Sequence, residues 1–365
     1  YNNTNNDVGR NPQKHSFSIY IKEETSMTLK EIAQEAGVSI STVSRVINNS
    51  STPVARPEIR DRIWEIVRRT GYTPNSAAQN LKRGQPGIKT NTHSLACLFA
   101  RTPNAPDDPF FSSLAKSVEI EAYKQNYILK LSFTPLDITK PETFRLIMEH
   151  DVNGIVILGR CDKATLKLLK QHFHYVAYTG LNRIDANFDQ ILCDGYDATF
   201  CALEHLIHLG HKHIGYVGET ISENRYQAYR TCIEQHQLPF DSSYVATTPF
   251  TSNGGYKGVQ KLLEQQPKLT AIFCGNDITA IGAIRAIKDR KLKIPKDISV
   301  ISIDDIDMAQ YLSPMLTTVH IPVDEMGKMA AKTLIDRING GHTLPMKLQL
   351  PFHLANRDSC GKPRI

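Results

Sequence analysis

The chain has 365 residues, of which 41% are hydrophobic and 22% are charged, and its formal net charge is +6. This supports one small domain and one larger domain with its own core, and no apolar run approaches the length that spans a membrane. The seven cysteines are scattered without a C-x-x-C pair, so we expect buried thiols in a reducing cytoplasm rather than disulfides or a zinc site.

Residues 1–26 are polar and rich in asparagine, and they lack the continuous apolar stretch of a signal peptide. We expect this segment to be a disordered leader or a start-site artefact, with Met27 as a candidate start. A cytoplasmic location follows.

Residues 27–49 predict two short helices joined by a tight turn. Thr28 can cap the first helix, and Glu31 three positions later completes a capping box. Gly37 ends that helix, and Ser39 can cap the second. Each helix has one apolar face at helical spacing, formed by Leu29, Ile32, Ala33 and Ala36 in the first and by Val43, Val46 and Ile47 in the second.

The second helix leaves small hydroxyls and one arginine on its outer face, at Ser41, Thr42, Ser44 and Arg45. Such a face at the front of an exposed helix suits entry into the major groove of DNA. An ordinary helical hairpin has the same caps, so the pattern alone leaves both alternatives open.

A third helix is predicted from Pro57 to a C-cap at Gly71, with Ile59, Ile63, Ile66 and Val67 on its inner face. Residues 27–84 contain nine Lys or Arg and five Asp or Glu, a local net charge of +4. A basic module beside a near-neutral body indicates a polyanionic partner at one end of the molecule.

Residues 74–84 predict a short helix that begins at Pro74 and Asn75 and ends at Gly84. A helix of this length is not stable alone in water, so it requires a partner or DNA. Residues 85–92 predict a linker.

From His93 onward, apolar strands alternate with amphipathic helices. This alternation predicts parallel sheets with helices on both faces, and about 265 residues exceed one such unit, so we expect two lobes. The predicted strands are 94–100, 127–133, 154–159, 175–178, 213–218, 245–250, 270–275 and 299–304; the predicted helices are 111–125, 141–149, 198–209, one from 224, one from 255, and 280–289.

Several of these segments resemble the lactose/galactose repressor family of bacteria. The resemblance rests on residues 28–49, on Tyr72, Pro74, Asn75 and residues 78–81, and then, in family order and spacing, on 108–111, 204–211, 275–277, 297–305 and 316–319. It implies a small all-α helix-turn-helix headpiece plus an α/β two-lobed core like periplasmic sugar-binding proteins. The implied domains are the headpiece at 27–73, a hinge helix at 74–84, a linker at 85–92 and the core at 93–360.

The resemblance also implies roles in DNA binding. Ile40, Ser41 and Arg45 would read base edges, and Leu81 would wedge into the minor groove beside its twofold mate. The implied DNA-binding residues are Thr28, Ser39, Ile40, Ser41, Thr42, Ser44, Arg45, Asn48, Asn75, Ala78, Leu81 and Lys82. We therefore expect a nucleoid-associated homodimer on a pseudo-palindromic operator, and not a tetramer, because the chain has no leucine heptad tail.

The same resemblance places an effector between the two lobes. Arg225, Asn276 and Asp304 match the family's polar clamp, Asp197 matches a further hydroxyl contact, and Phe250 matches a stacking aromatic residue. Phe110 would line the edge of the pocket from the first lobe. The lactose-type protein has a second aromatic residue where this chain has Val323, which leaves the ligand open.

The function implied is a sequence-specific repressor whose operator affinity is controlled by a galactoside or related sugar. Within the family, a purine-corepressed regulator and a phosphocarrier-dependent catabolite regulator are alternatives, and a cytoplasmic sugar-binding protein is an alternative of another class. We expect no enzyme activity and no cofactor. We expect no metal site either, because the sequence shows no carboxylate or cysteine set that would complete one around His205, His208, His211 and His213.

Overall fold

The computed structural model describes residues 27–47, 55–70, 72, 93–101, 108–150 and 152–364. Its first part is a three-helix headpiece, formed by α1 (Leu29–Ala36), α2 (Ile40–Ile47) and α3 (Pro57–Thr70). The predicted leader, hinge helix and linker lie outside the described residues. No helix in the described part of the chain combines the length and the apolar character needed to cross a membrane.

The first lobe of the core is built on a six-stranded parallel sheet in the order β11-β5-β4-β3-β1-β2. Its strands are β1 (His93–Phe99), β2 (Tyr127–Phe133), β3 (Gly154–Leu158), β4 (Val176–Gly180), β5 (Asp189–Cys193) and β11 (Lys347–Leu350). Its helices are α4 (Pro109–Lys124), α5 (Pro135–Thr139), α6 (Pro141–Glu149), α7 (Lys163–His172) and α12 (Val323–Ile338).

The second lobe has a six-stranded sheet in the order β12-β10-β9-β8-β6-β7, parallel except for β12. Its strands are β6 (Ile214–Gly218), β7 (Val245–Thr247), β8 (Ala271–Cys274), β9 (Ser299–Asp304), β10 (Thr317–His320) and β12 (His353–Ala355). Its helices are α8 (Gly195–His208), α9 (Asn224–Gln235), α10 (Ser252–Gln265) and α11 (Asp277–Asp289). The predicted fold class, a helical headpiece with a two-lobed α/β core, is confirmed.

The chain passes between the two sheets three times, after β5, after β10 and after β11. The second passage returns α12 to the first lobe, where it packs against α4. Gly327 permits this close packing, because a Cβ there would lie 2.6 Å from the carbonyl oxygen of Leu114. The three connections therefore link two lobes that each have a sheet of their own.

Side-chain caps explain why several helices begin earlier than the sequence predicts. Asp108 accepts a hydrogen bond from the N–H of Phe110 and starts α4 at Pro109, two residues before the predicted start. Asp194 starts α8 at Gly195 in the same way, three residues early. Caps of this kind provide hydrogen bonds to the first free N–H groups of a helix, and a pattern of hydrophobic residues does not show where they lie.

The sequence did not predict three helices and four strands, namely α5, α7 and α12 and β5, β10, β11 and β12.

The headpiece packs against the first lobe. Helix α3 contacts α6, and the Nε2 atom of His172, at the end of α7, lies 3.0 Å from the carbonyl oxygen of Arg68. Phe144 is fully buried, with its ring 4.8 Å from that of His172. Burial lowers the pKa of His172, so the imidazole is neutral where the two parts meet.

Candidate functional site

The first helix of the headpiece is fixed by the predicted capping box. The N–H of Thr28 donates to a Glu31 carboxylate oxygen at 2.6 Å, and the N–H of Glu31 donates to the Thr28 hydroxyl at 3.3 Å. The hydrogen bonds that the N–H and the hydroxyl of Thr28 donate to the Glu31 carboxylate lower the pKa of that carboxyl. Gly37 ends α1 with a φ of +68°, in the left-handed region that glycine adopts without strain.

The outer face of α2 carries the residues that the sequence assigned to DNA. Ser39 caps the helix, because its hydroxyl accepts a hydrogen bond of 3.1 Å from the N–H of Thr42. The core is filled by Val43, Val46 and Ile47. Ile40 is instead 47% exposed, so it is not a core residue of the headpiece.

The other assigned residues of the headpiece also lie at or near the surface. Thr28, Ser39, Ser41 and Arg45 are exposed, and Thr42 and Ser44 are half-buried. Asn48, Asn75, Ala78, Leu81 and Lys82 lie outside the described residues. Helix α2 thus presents an apolar side chain, several hydroxyls and one guanidinium on one exposed face. Such a combination can contact base edges and phosphates.

The core contains a cleft of about 320 Å³ that is lined by residues of both lobes. It lies at the carboxyl ends of the parallel strands, where open α/β sheets bind ligands. Five of the six side chains assigned to the effector line it, namely Phe110, Arg225, Phe250, Asn276 and Asp304. The sixth, Asp197, is exposed in the first turn of α8 and is not among the lining residues.

Arg225 is the most buried charged group of the cleft, at 2% exposure. Its Nε donates to the Glu223 carboxylate at 2.7 Å, and its Nη1 donates to the Gly275 carbonyl oxygen at 2.7 Å. Its Nη2 is buried and has no hydrogen-bond partner among the described residues. Burial alone would raise the pKa of Glu223, but Arg225, Arg101 and Arg160 together lower it to about 2. The site therefore holds a charged guanidinium with one donor unused.

Asp304 supplies an acceptor at the end of β9. Burial, and then the neighbouring Asp277, raise the pKa of its carboxyl well above the usual value, and Arg225 partly offsets them. Its φ of +128° is rare for a residue with a side chain, and such strain is often found at binding sites. Asp305 has a structural role instead, because it pairs with Arg357 at 2.6 Å and with His320 at 3.0 Å.

Asn276 caps α11 and lines the cleft at the same time. Its side-chain oxygen accepts from the N–H of Thr279 at 3.0 Å, so its amide nitrogen remains as a donor. The next residue, Asp277, accepts hydrogen bonds from the hydroxyls of Ser302 at 2.5 Å and Thr318 at 2.6 Å. It thereby fixes the strand ends beneath Asp304.

Phe250 is held between two guanidiniums. The Arg101 and Arg225 groups lie 4.4 Å and 4.2 Å from the centre of its ring, at cation–π distance. The ring also lies against two glycines, since a Cβ at Gly275 would be 2.1 Å from it and one at Gly218 would be 2.7 Å from it. The glycines therefore make room for this aromatic side chain.

Two arginines of the first lobe pair with two glutamates of the second across the cleft. Arg160 lies 2.8 Å from Glu219, and Arg101 lies 3.1 Å from Glu219 and 3.4 Å from Glu223. Sequence reasoning missed these four residues and Asn182. The sequence could have indicated four of these five as ligand-site candidates, because each closely follows the carboxyl end of a buried strand: Arg101, Arg160, Asn182 and Glu219.

The four histidines of 205–213 do not converge on one site. His211 bonds to Thr270 at 2.9 Å and to Ser299 at 3.0 Å, and His213 bonds to Tyr244 at 2.6 Å, so both are structural. His208, in contrast, lies 4.0 Å from Glu204.

Comparison with known proteins agrees with this architecture. Residues 28–75 match the family model described as "Bacterial regulatory proteins, lacI family", and residues 203–360 match the "Periplasmic binding protein-like domain".

Two curated repressors and one solved complex are similar over most of the chain. The HTH-type transcriptional repressor PurR of Photorhabdus laumondii is 31% identical over 322 residues, 85% of this chain and 90% of that protein. The ribose operon repressor of Haemophilus influenzae is 32% identical over 324 residues, 85% of this chain and 92% of that protein. The transcriptional regulator CelR in complex with cellobiose has a TM-score of 0.68 at 25% identity and covers 91% of this chain and 99% of that one. The chain therefore belongs to the lacI family of bacterial regulatory proteins, as a DNA-binding repressor controlled by a small-molecule effector, and it is not an enzyme.

Proposed function

We propose that the effector of this repressor is a neutral sugar of about one ring, bound in the cleft between the lobes. The observation that carries the proposal is the unpartnered, buried Nη2 of Arg225, which lines the same cleft as the Asp304 carboxyl and the Asn276 amide. Adjacent hydroxyls of a sugar each donate and accept one hydrogen bond, and this set offers both donors and an acceptor.

The charges in the cleft favour a neutral ligand over a phosphorylated one. The guanidiniums of Arg101, Arg160 and Arg225 each already have a carboxylate partner in Glu219 or Glu223. A phosphate would have to compete with these two carboxylates, because each of the three guanidiniums already lies within hydrogen-bond distance of one of them.

The volume of the cleft favours a small sugar. At about 320 Å³ it is near the lower end of the range of roughly 300–1,000 Å³ for ligand pockets. Phe110 and Phe250 provide aromatic surface for the C–H face of a ring. The relatives named above include a ribose operon repressor and a regulator in complex with cellobiose, which supports a sugar as the class of ligand.

The proposed partner on the DNA side is a pseudo-palindromic operator bound by a homodimer. Ile40, Ser41 and Arg45 on the exposed face of α2 would contact base edges, and Arg45 could pair with a guanine. A change in operator affinity of about a thousandfold on effector binding requires about 4 kcal/mol of differential binding between two arrangements of the lobes.

Calorimetric titration of the purified full chain tests the effector class. Pentoses, hexoses and galactosides form one set of ligands, and sugar phosphates and purine bases form two others. We expect saturable binding of a neutral sugar that Asp304→Asn and Arg225→Lys each weaken at least tenfold, while circular dichroism shows an unchanged fold. Binding of a purine alone, or of a sugar phosphate more tightly than its parent sugar, would overturn the proposal.

A further inference from the structure

Helices α8 and α9 pack side by side in the second lobe and bring three different metal-binding groups together. A carboxylate oxygen of Glu204, the sulfur of Cys232 and a ring nitrogen of His236 all lie within 4.8 Å of one another. Glu204 is on α8, Cys232 is on α9, and His236 directly follows the last residue of α9. Cys232 and His236 come from the same end of α9, and the packing of α8 against α9 adds Glu204 to them.

A fourth group lies beside them. His208 is four residues after Glu204 on α8, and its Nε2 is 4.0 Å from a Glu204 oxygen. Cys232 and His236 have the same spacing of four, which places side chains on one face of a helix. The side chain of His208 is 79% exposed, so its ring can turn toward the cluster without leaving a packed core.

We infer that Glu204, Cys232 and His236 form a zinc-binding site, with His208 completing a tetrahedral set. Thiolate, imidazole and carboxylate are the ligands that zinc takes in proteins, and four-coordinate geometry is its usual arrangement. The buried sulfur lies on the inner side and the more exposed imidazoles on the outer side, which gives an ion access from solvent.

Loading the site requires small movements and the release of a proton. Burial, and then the nearby Glu204, raise the pKa of the Cys232 thiol to about 12, so the metal-free protein holds it as S–H. Zinc would replace that proton and form a Zn–S bond. His236 Nε2 and a Glu204 oxygen, now 2.6 Å apart, would give up their hydrogen bond and separate to ligand a common ion.

The site would affect the effector cleft through α9. Arg225 stands in the first turn of that helix, and Cys232 lies two turns further along it. An ion shared with α8 would hold α9 in place and so position the Arg225 guanidinium. Zinc would therefore stabilise the second lobe and support the effector site without contacting the effector.

Cobalt titration of the reduced, chelator-stripped full chain tests the site, since cobalt(II) reports thiolate ligation and tetrahedral geometry by absorption. We expect one equivalent to give a thiolate-to-cobalt charge-transfer band that zinc removes by displacement. Cys232→Ser should abolish this band, and Glu204→Gln, His208→Asn and His236→Asn should each weaken cobalt binding at least tenfold. Cys201→Ser, another thiol on α8, and His174→Asn, an exposed imidazole in the first lobe, are the matched controls and should retain it.

A second measurement covers the case in which Cys232→Ser does not fold. Zinc should raise the melting temperature of the unaltered protein, and Glu204→Gln, which changes a half-exposed side chain, should remove most of that increase. The inference is overturned if cobalt gives no thiolate band, if Cys232→Ser retains the band, or if Glu204→Gln and His236→Asn bind cobalt as tightly as the unaltered chain.

Discussion

Arg160 and Glu219 connect the two lobes at the cleft, with the Arg160 guanidinium 2.8 Å from a Glu219 carboxylate oxygen. Arg160 follows β3 of the first lobe, and Glu219 follows β6 of the second. The same arginine also donates to the Ile221 carbonyl oxygen at 3.1 Å. These contacts join the lobes in the arrangement that encloses the cleft, so their loss should favour a more open arrangement.

We expect Arg160→Gln to weaken effector binding. Both side chains are 27% exposed, so solvent screens the ion pair, and its loss should cost no more than about 1 kcal/mol, or about fivefold in affinity. Calorimetry at low and high salt measures this, and the salt dependence should be smaller in the variant. Arg285→Gln removes an exposed ion pair within α11, away from the cleft, and serves as the control. Equal effects of the two substitutions would show that the inter-lobe pair has no special role.

We expect Gly275→Ala to disturb the cleft through Phe250. An alanine Cβ at this position would lie 2.1 Å from the Phe250 ring, so the ring must move. Overpacking of this kind destabilises a protein by about 1–3 kcal/mol, and the displaced ring would also occupy ligand space. Effector affinity should fall at least tenfold.

The double variant Gly275→Ala/Phe250→Leu tests whether the effect acts through the ring. The smaller leucine relieves the contact, so the double variant should be more stable toward urea than Gly275→Ala alone. If the two substitutions were simply additive, the glycine would serve some purpose other than making room for Phe250.

The strand–helix alternation was enough to predict the two lobes, because it depends on local periodicity that a sequence records directly. The site was predicted less completely. Arg225, Asn276 and Asp304 were found through a resemblance, whereas Arg101, Arg160 and Glu219 were missed because their roles depend on partners more than 50 residues away. The grouping of Glu204 with Cys232 and His236 was missed for the same reason: it exists only once α8 and α9 pack together.

We expect the stability of the protein to fall in acid through Glu223. Its folded pKa of about 2 is below the ordinary value of 4.5, so its ionised form favours the folded state. That contribution is fully present above pH 4.5 and is lost as the pH falls from 4.5 toward 2. A shift of this size corresponds to about 3 kcal/mol.

Urea unfolding between pH 2.5 and 6 measures this contribution. In Glu223→Gln the part of the acid destabilisation assigned to this carboxyl should be absent, so the unfolding free energy should depend less steeply on pH below 4.5. Asp241→Asn, at an exposed carboxyl whose pKa is lowered by hydrogen bonds from Ser243 and not by arginines, is the control. If the unfolding free energy of Glu223→Gln depended on pH as steeply as that of the unaltered protein, the buried pair of Glu223 and Arg225 would not account for the loss of stability in acid.

We expect Ile40→Ala to change DNA recognition without changing stability. The side chain is 47% exposed and lies outside the headpiece core, so its truncation should alter the unfolding free energy by less than about 0.5 kcal/mol. If Ile40 contacts a thymine methyl, its loss should cost about 1 kcal/mol of discrimination at one base pair of each half-site, the scale of one buried apolar carbon. Val43→Ala provides the contrast, because Val43 is fully buried and its truncation should destabilise the headpiece. Binding to an operator library, run beside thermal melts, separates the two effects. A uniform loss of affinity across all sequences in Ile40→Ala would place this residue against the DNA backbone instead of a base.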